Sequence, residues 1–167
     1  NNDNWAGYFF GKKRVIGVDP QESPNPQAEL FKGFVANFSG KANLKSGGVI
    51  GSLVKDPNGK FDVIDFREFR QRYQIDEISI LKINIEGSEW ELIESLSASD
   101  LVGVDQICVS FHDFLLLKPD SRALLRTLWQ FNPMSKKTLK CIQKLESFGY
   151  RSFDLGIYGW RIFLKDI

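Results

Sequence analysis

A chain of 167 residues, 43% apolar and 26% charged, has the size and composition of one domain with its own hydrophobic core. A net charge of +1 gives no field that would favour nucleic acid or an acidic surface, and no apolar run is long enough to span a bilayer. Two cysteines are too few for a disulfide framework, and a single histidine, His112, excludes a zinc site built on several imidazoles.

In chain order, residues 1–10 are polar and then aromatic, without a clear period. Val15, Ile16 and Val18 read as a strand that ends at Asp19-Pro20. An acid at such a tip can accept both hydroxyls of a nucleotide ribose, although an Asp-Pro turn alone gives the same letters. Pro24 and Pro26 mark a loop, and Gln27 to Phe31 is expected to start a short helix. Phe34–Phe38 and Lys41–Leu44 flank Ser39-Gly40 as a hairpin would, and Val49–Val54 reads as a short strand between glycine turns. Phe61–Ile64 is strand-like. Asp65 then caps a helix, and Glu68 is placed to complete a capping box.

The chain is organised around Glu77 to Leu96. Ile78, Ile80, Leu81, Ile83 and Ile85 form a nearly continuous apolar run, the pattern of a strand buried on both faces. Gly87 breaks it, and Trp90, Leu92, Ile93 and Leu96 follow at helical spacing. Lys82, Asn84 and Glu86 are polar residues toward the strand's C-terminal end, where open α/β sheets bind ligands. Asp105 to His112 reads as a second strand with His112-Asp113 at its tip. Leu124, Leu125, Leu128 and Trp129 form a helical stripe that Asn132-Pro133 ends. Leu139, Ile142 and Leu145 mark a further helix, with Lys136, Lys137, Lys140 and Lys144 on a solvated face and Gly149 as its stop. Tyr150–Leu155 and Trp160–Leu164 read as two closing strands.

The stretch Lys82-Ile83-Asn84-Ile85-Glu86-Gly87-Ser88-Glu89-Trp90 resembles the K-I-D-x-E-G-x-E motif of the FkbM-type methyltransferases, with Asn84 where that family has aspartate. The strand ending at Asp19-Pro20 resembles the family's second strand, and the strand ending at His112 resembles one that ends in Glu-x-His there, with Ser110 in place of the glutamate. The resemblance covers roughly Lys12 to the C-terminus. It implies an α/β fold: a Rossmann-like class I methyltransferase sheet, mostly parallel with a terminal antiparallel strand, in a single domain over residues 1–167. No strand with a glycine-rich turn precedes Lys12. The expectation is therefore a sheet lacking its first βα unit, an N-terminally truncated domain, and weak cofactor binding.

The resemblance further implies S-adenosylmethionine as cofactor. Asp19 and Pro20 would hold its ribose, and Asn84 and Glu86 would line the pocket near its methionine part. The acceptor would be an oxygen or nitrogen of a small molecule or glycan, in a cytoplasmic enzyme with no nucleic-acid or membrane partner. Methyl transfer to a hydroxyl needs in-line positioning and a base. His112 has the one side chain whose ordinary pKa is near neutrality, and it is expected to act with Asn84 as the catalytic pair. Glu89 is expected to stabilise the start of its helix against the dipole. A non-catalytic interaction domain is the alternative, favoured by the departures at Asn84 and Ser110.

Overall fold

The computed structural model describes residues 6–20, 27–47, 50–85, 87–112, 133–155 and 159–166. Its strands are β1 (Ile16–Asp19), β2 (Glu29–Lys32), β3 (Phe34–Ala36), β4 (Gly40–Gly47), β5 (Ile50–Lys55), β6 (Phe61–Asp65), β7 (Leu81–Ile83), β8 (Gln106–Ser110), β9 (Tyr150–Asp154) and β10 (Trp160–Lys165). The helices are α1 (Phe66–Arg72), α2 (Glu89–Ser95) and α3 (Pro133–Ser147). Short 3-10 turns span Ala6–Tyr8 and Ala98–Leu101.

The strands form three sheets rather than one. β1 and β2 pair alone, a second sheet runs β3-β6-β4-β5, and a third runs β7-β8-β10-β9. Among the described residues, four of the seven strand pairings are antiparallel. This corrects the expected fold: the architecture is not a mostly parallel Rossmann-like class I methyltransferase sheet. It is a set of mixed sheets, richer in strand and poorer in helix. Among the described residues the strand read as central, β7, is at an edge of its sheet and pairs in parallel with β8 only, with Ile83 opposite Val109. It is also shorter than the apolar run around it, with Ile78 making a single parallel bridge to Val104.

Three local expectations also change. Gln27 to Phe31 does not start a helix, because Glu29–Lys32 pairs along β1 as a strand. Phe34–Ala36 and Gly40–Gly47 are not hairpin partners: they flank β6 on opposite sides, β3 parallel and β4 antiparallel to it. Asp65 does cap α1, accepting from the backbone N–H of Arg67 and Glu68. The return bond comes from Ser39, whose Oγ accepts the Asp65 N–H at 2.9 Å, and not from Glu68. The stripe Leu124 to Trp129 lies outside the described residues.

The main core joins α2, α3 and one face of the third sheet. Trp90, Leu92 and Ile93 of α2 meet Cys141, Ile142 and Leu145 of α3 over Ile107, Val109 and Phe163. Trp90 is fully buried, and its indole N–H donates to Thr138 of α3 at 3.0 Å. The lysine face of α3 is only partly a solvated one, since Lys137 pairs with Glu91 and Lys144 donates to the Glu94 carbonyl. Two smaller clusters serve the other sheets, one around Phe31, Ile64 and Phe69 and one around Ala36, Ala42 and Val63.

Candidate functional site

β7 and β8 run in parallel and end side by side. The chain leaves β7 through Asn84 and Ile85, turns at Gly87 with φ +101, and enters α2 at Glu89. At the end of β8 it passes Ser110 and Phe111 to His112, which is 5% exposed. Glu89 lies between the two ends, fully buried. Its Oε1 is 2.6 Å from His112 Nδ1 and accepts the Ile85 N–H at 3.1 Å, while Oε2 accepts the Gly87 N–H at 3.0 Å. One carboxylate thus ties the end of β7, the end of β8 and the start of α2. Burial of an ionisable pair is costly unless its hydrogen bonds are filled, and here three donors converge on two oxygens.

Glu89 does more than the sequence reading assigned to it. It sits on the first residue of α2, but its hydrogen bonds run backward to the turn and across to His112. The signal was present in the letters: the chain's one histidine ends a strand, and an acid follows the glycine that ends the strand before it.

Asn84 is half-buried beside this pair, and its side chain makes no hydrogen bond among the described residues. Lys82 covers the Trp160 ring at 5.2 Å, with Trp160 in register with Ser110 on the next strand but one. The contact is a cation–π one between the ammonium and the indole face. Glu86 lies outside the described residues. Asp19 ends β1 with an exposed side chain, and its carbonyl accepts the Gly33 N–H at 3.1 Å. Asp19 and Pro20 therefore belong to the two-stranded sheet. Asn84 and His112 belong to the ends of β7 and β8. The structure sets Asn84 and His112 at adjoining strand ends and leaves Asp19 and Pro20 with a different sheet.

An open polar cleft of about 200 Å³ lies elsewhere, lined by Asn37, Asp65, Arg67, Ser95 and Asp100 among others. Its polar groups serve the fold. Arg67 makes a two-pronged pair with Asp100 at 2.8 and 3.0 Å, and Asp100 also accepts from the Ser97 N–H and hydroxyl. The Arg67 guanidinium holds the Asp100 carboxyl well below the usual carboxylate range, helped by Ser97 and opposed by burial. Among the described residues no cluster of three or more histidine, cysteine, aspartate or glutamate side chains could hold a metal ion. No described helix is long and apolar enough to cross a membrane.

The chain matches no family model, no curated protein and no solved structure. The likeness to FkbM-type enzymes therefore rests on the Lys82–Trp90 stretch and the strand tips at Asp19 and His112.

Proposed function

We propose that this chain is an S-adenosylmethionine-dependent methyltransferase acting on an oxygen or nitrogen of a small molecule or glycan. One observation carries the reading: Asn84 and His112 stand at the adjoining ends of β7 and β8, with His112 held by buried Glu89. A histidine oriented by a carboxylate is the arrangement that general-base chemistry uses. The donor set suits the cofactor. Asp19 offers an exposed carboxylate to ribose hydroxyls and Pro20 ends its strand, while Asn84 offers both a donor and an acceptor to an amino-acid moiety. Glu86 follows in the motif. S-adenosylmethionine, when bound, would supply an electrophilic methyl on sulfur. His112 accepts the proton released by the attacking hydroxyl or amine, and Glu89 holds the ring still while it does so. Two free thiols, Cys108 and Cys141, suit a reducing, cytoplasmic setting.

Calorimetric titration with S-adenosylmethionine tests this. Weak binding is expected in the parent, weakened by about 1–3 kcal/mol more in Asp19→Ala, the usual range for a charged hydrogen bond. No heat of binding from the folded parent would remove the reading. The second reading, a non-catalytic interaction domain, draws on the separation of Asp19-Pro20 and Asn84-His112 into different sheets. It predicts that silent titration.

A further inference from the structure

We infer that the face of the sheet β3-β6-β4-β5 turned away from α1 binds single-stranded nucleic acid, with Phe38 and Phe61 stacking on bases and Lys55 and Lys60 holding the adjoining phosphates. Successive side chains of a strand point to opposite faces. Val35 and Ile64 share a cluster with Phe69 of α1, so Phe34, Phe61 and Val63 lie on the other face. Lys55 joins them, since Phe61, Ala42 and Lys55 stand in one row across β6, β4 and β5. Every side chain in the hydrophobic cluster on that face comes from residues 34–63, and among the described residues no other element adds one.

The rings and the cations on this face are set in pairs. Phe34, Phe38 and Phe61 are half-buried, and Lys55 and Lys60 are exposed. Lys55 Nζ lies over the Phe38 ring at 5.6 Å, and Lys60 Nζ lies over the Phe61 ring at 5.4 Å. An exposed ammonium over a ring marks the ring face that looks out to solvent. Phe61 is braced from within the sheet: its ring meets that of Phe34 edge to face, with centroids 5.3 Å apart. Among the described residues neither ammonium has a carboxylate partner. Asp56, which lies between the two lysines in sequence, is taken by the Asn43 side chain and the Asn58 N–H.

Each unit of a nucleic-acid strand carries a flat base and a phosphate, and each pair here offers a ring and a cation. A second copy of this chain fits less well. A two-fold contact uses the same patch on both sides and would bring the lysines of the two copies together. An acidic peptide matches the lysines and leaves the rings unstacked. The net charge of +1 gives no long-range field, so binding rests on contact at this face and is expected to be weak. This inference is independent of the methyl-transfer reading, whose residues Asp19, Asn84 and His112 lie outside this sheet.

Fluorescence anisotropy of labelled oligo(dT) and oligo(U) with the whole chain tests it. Both strands are expected to bind, since stacking on a ring does not read the ribose. Counterion release from two phosphates gives a slope of about −1.4 for log affinity against log salt. Replacing both lysines, Lys55→Ala with Lys60→Ala, is expected to remove most of that slope. Both are exposed, so this variant is expected to keep its parent's melting temperature. Phe61→Leu keeps apolar bulk but loses the flat ring, and is expected to weaken binding about fivefold or more at an unchanged slope. A duplex is expected to bind less well than either strand, because its bases are already stacked on one another. No anisotropy change with the folded parent up to about 100 μM, the weak end of sequence-independent binding, would overturn the inference. Parent-like binding by the double lysine variant would also overturn it, by placing the site elsewhere. Equal affinity for the duplex, or displacement by polyglutamate at matched charge, would replace it with a charge-only contact to an acidic partner. A parent that is dimeric and silent toward both strands would assign the face to a second copy.

Discussion

The sheet β7-β8-β10-β9 and the sheet β3-β6-β4-β5 are stabilised differently. The first is covered by α2 and α3 and buries sixteen side chains in one cluster. The second buries Ala36, Ala42 and Val63 in one small cluster and Ile64 of β6 in another, with Phe31 and Phe69. What the second lacks in side chains it replaces with close backbone approach. A Cβ added at Gly33 would lie 2.3 Å from the Asp62 carbonyl oxygen, and one at Gly59 would lie 2.5 Å from the backbone of Ala42. Both distances are shorter than real contacts allow, so the strands can pack there only because those side chains are absent. The more fully covered sheet gains from adding apolar atoms, and the less covered one gains at these two glycines from leaving them out.

Removing the largest side chain from the covered sheet gives the largest expected effect. Trp90→Ala deletes a fully buried indole and leaves the Thr138 hydroxyl without its donor. The expected loss is about 3–5 kcal/mol, read as a shift in the urea midpoint. Next comes Gly59→Ala. The added methyl meets backbone rather than a movable side chain, and overpacking of this kind costs about 1–3 kcal/mol. Hydrogen exchange is expected to rise along β4 and β5 and to stay unchanged along β8 and β10. Equal loosening of both sheets would show that they are not stabilised separately. Val63→Ala, in the small cluster, removes two methyl groups and is expected to cost about 1.5 kcal/mol.

The same contrast explains which parts of the sequence were legible. The elements of the covered sheet follow from their letters, because burial against α2 and α3 imposes helical and strand periods on Trp90–Leu96, Gln106–Ser110 and Leu139–Leu145. The pairing of those elements did not follow. An apolar run such as Ile78–Ile85 reports that its faces are covered but not by what, and among the described residues β7 proved to be an edge strand. In the rest of the chain, strand pairing overrode local preference. Glu29–Lys32 has no strong period of its own and becomes a strand because β1 lies alongside it. At the candidate site, His112 was legible from its uniqueness and its place at a strand end. Its partner was harder to read: the acid after Gly87 is in the letters, but an acid at a helix start has a sufficient local explanation and contact across 23 residues is not local.

The smallest effect at neutral pH is expected at the link between the two regions, and its size depends on pH. α1 follows β6 of the thinly covered sheet and reaches the other region through two arginines. Arg70 donates to the carbonyls of Asp100 and Val102, and Arg67 pairs with the Asp100 carboxylate. Arg67 is 65% exposed, so solvent and salt screen that pair and its loss costs little near pH 7. The Asp100 carboxyl is nevertheless held below its unfolded value of about 3.9, first by Arg67 and then by Ser97. A depressed folded pKa stabilises the protein above the unfolded pKa, and this stabilisation is lost as pH falls through the folded one. Parent and Asp100→Asn are therefore expected to differ in melting temperature by a constant amount from pH 7 down to about pH 5. The two are then expected to converge below about pH 4, as the parent takes up the proton that the variant cannot. Raising the salt concentration at pH 7 is expected to narrow the gap. A gap that persists unchanged at pH 2 would mean that Asp100 acts through the shape of its cap on Ser97 and not through its charge toward Arg67.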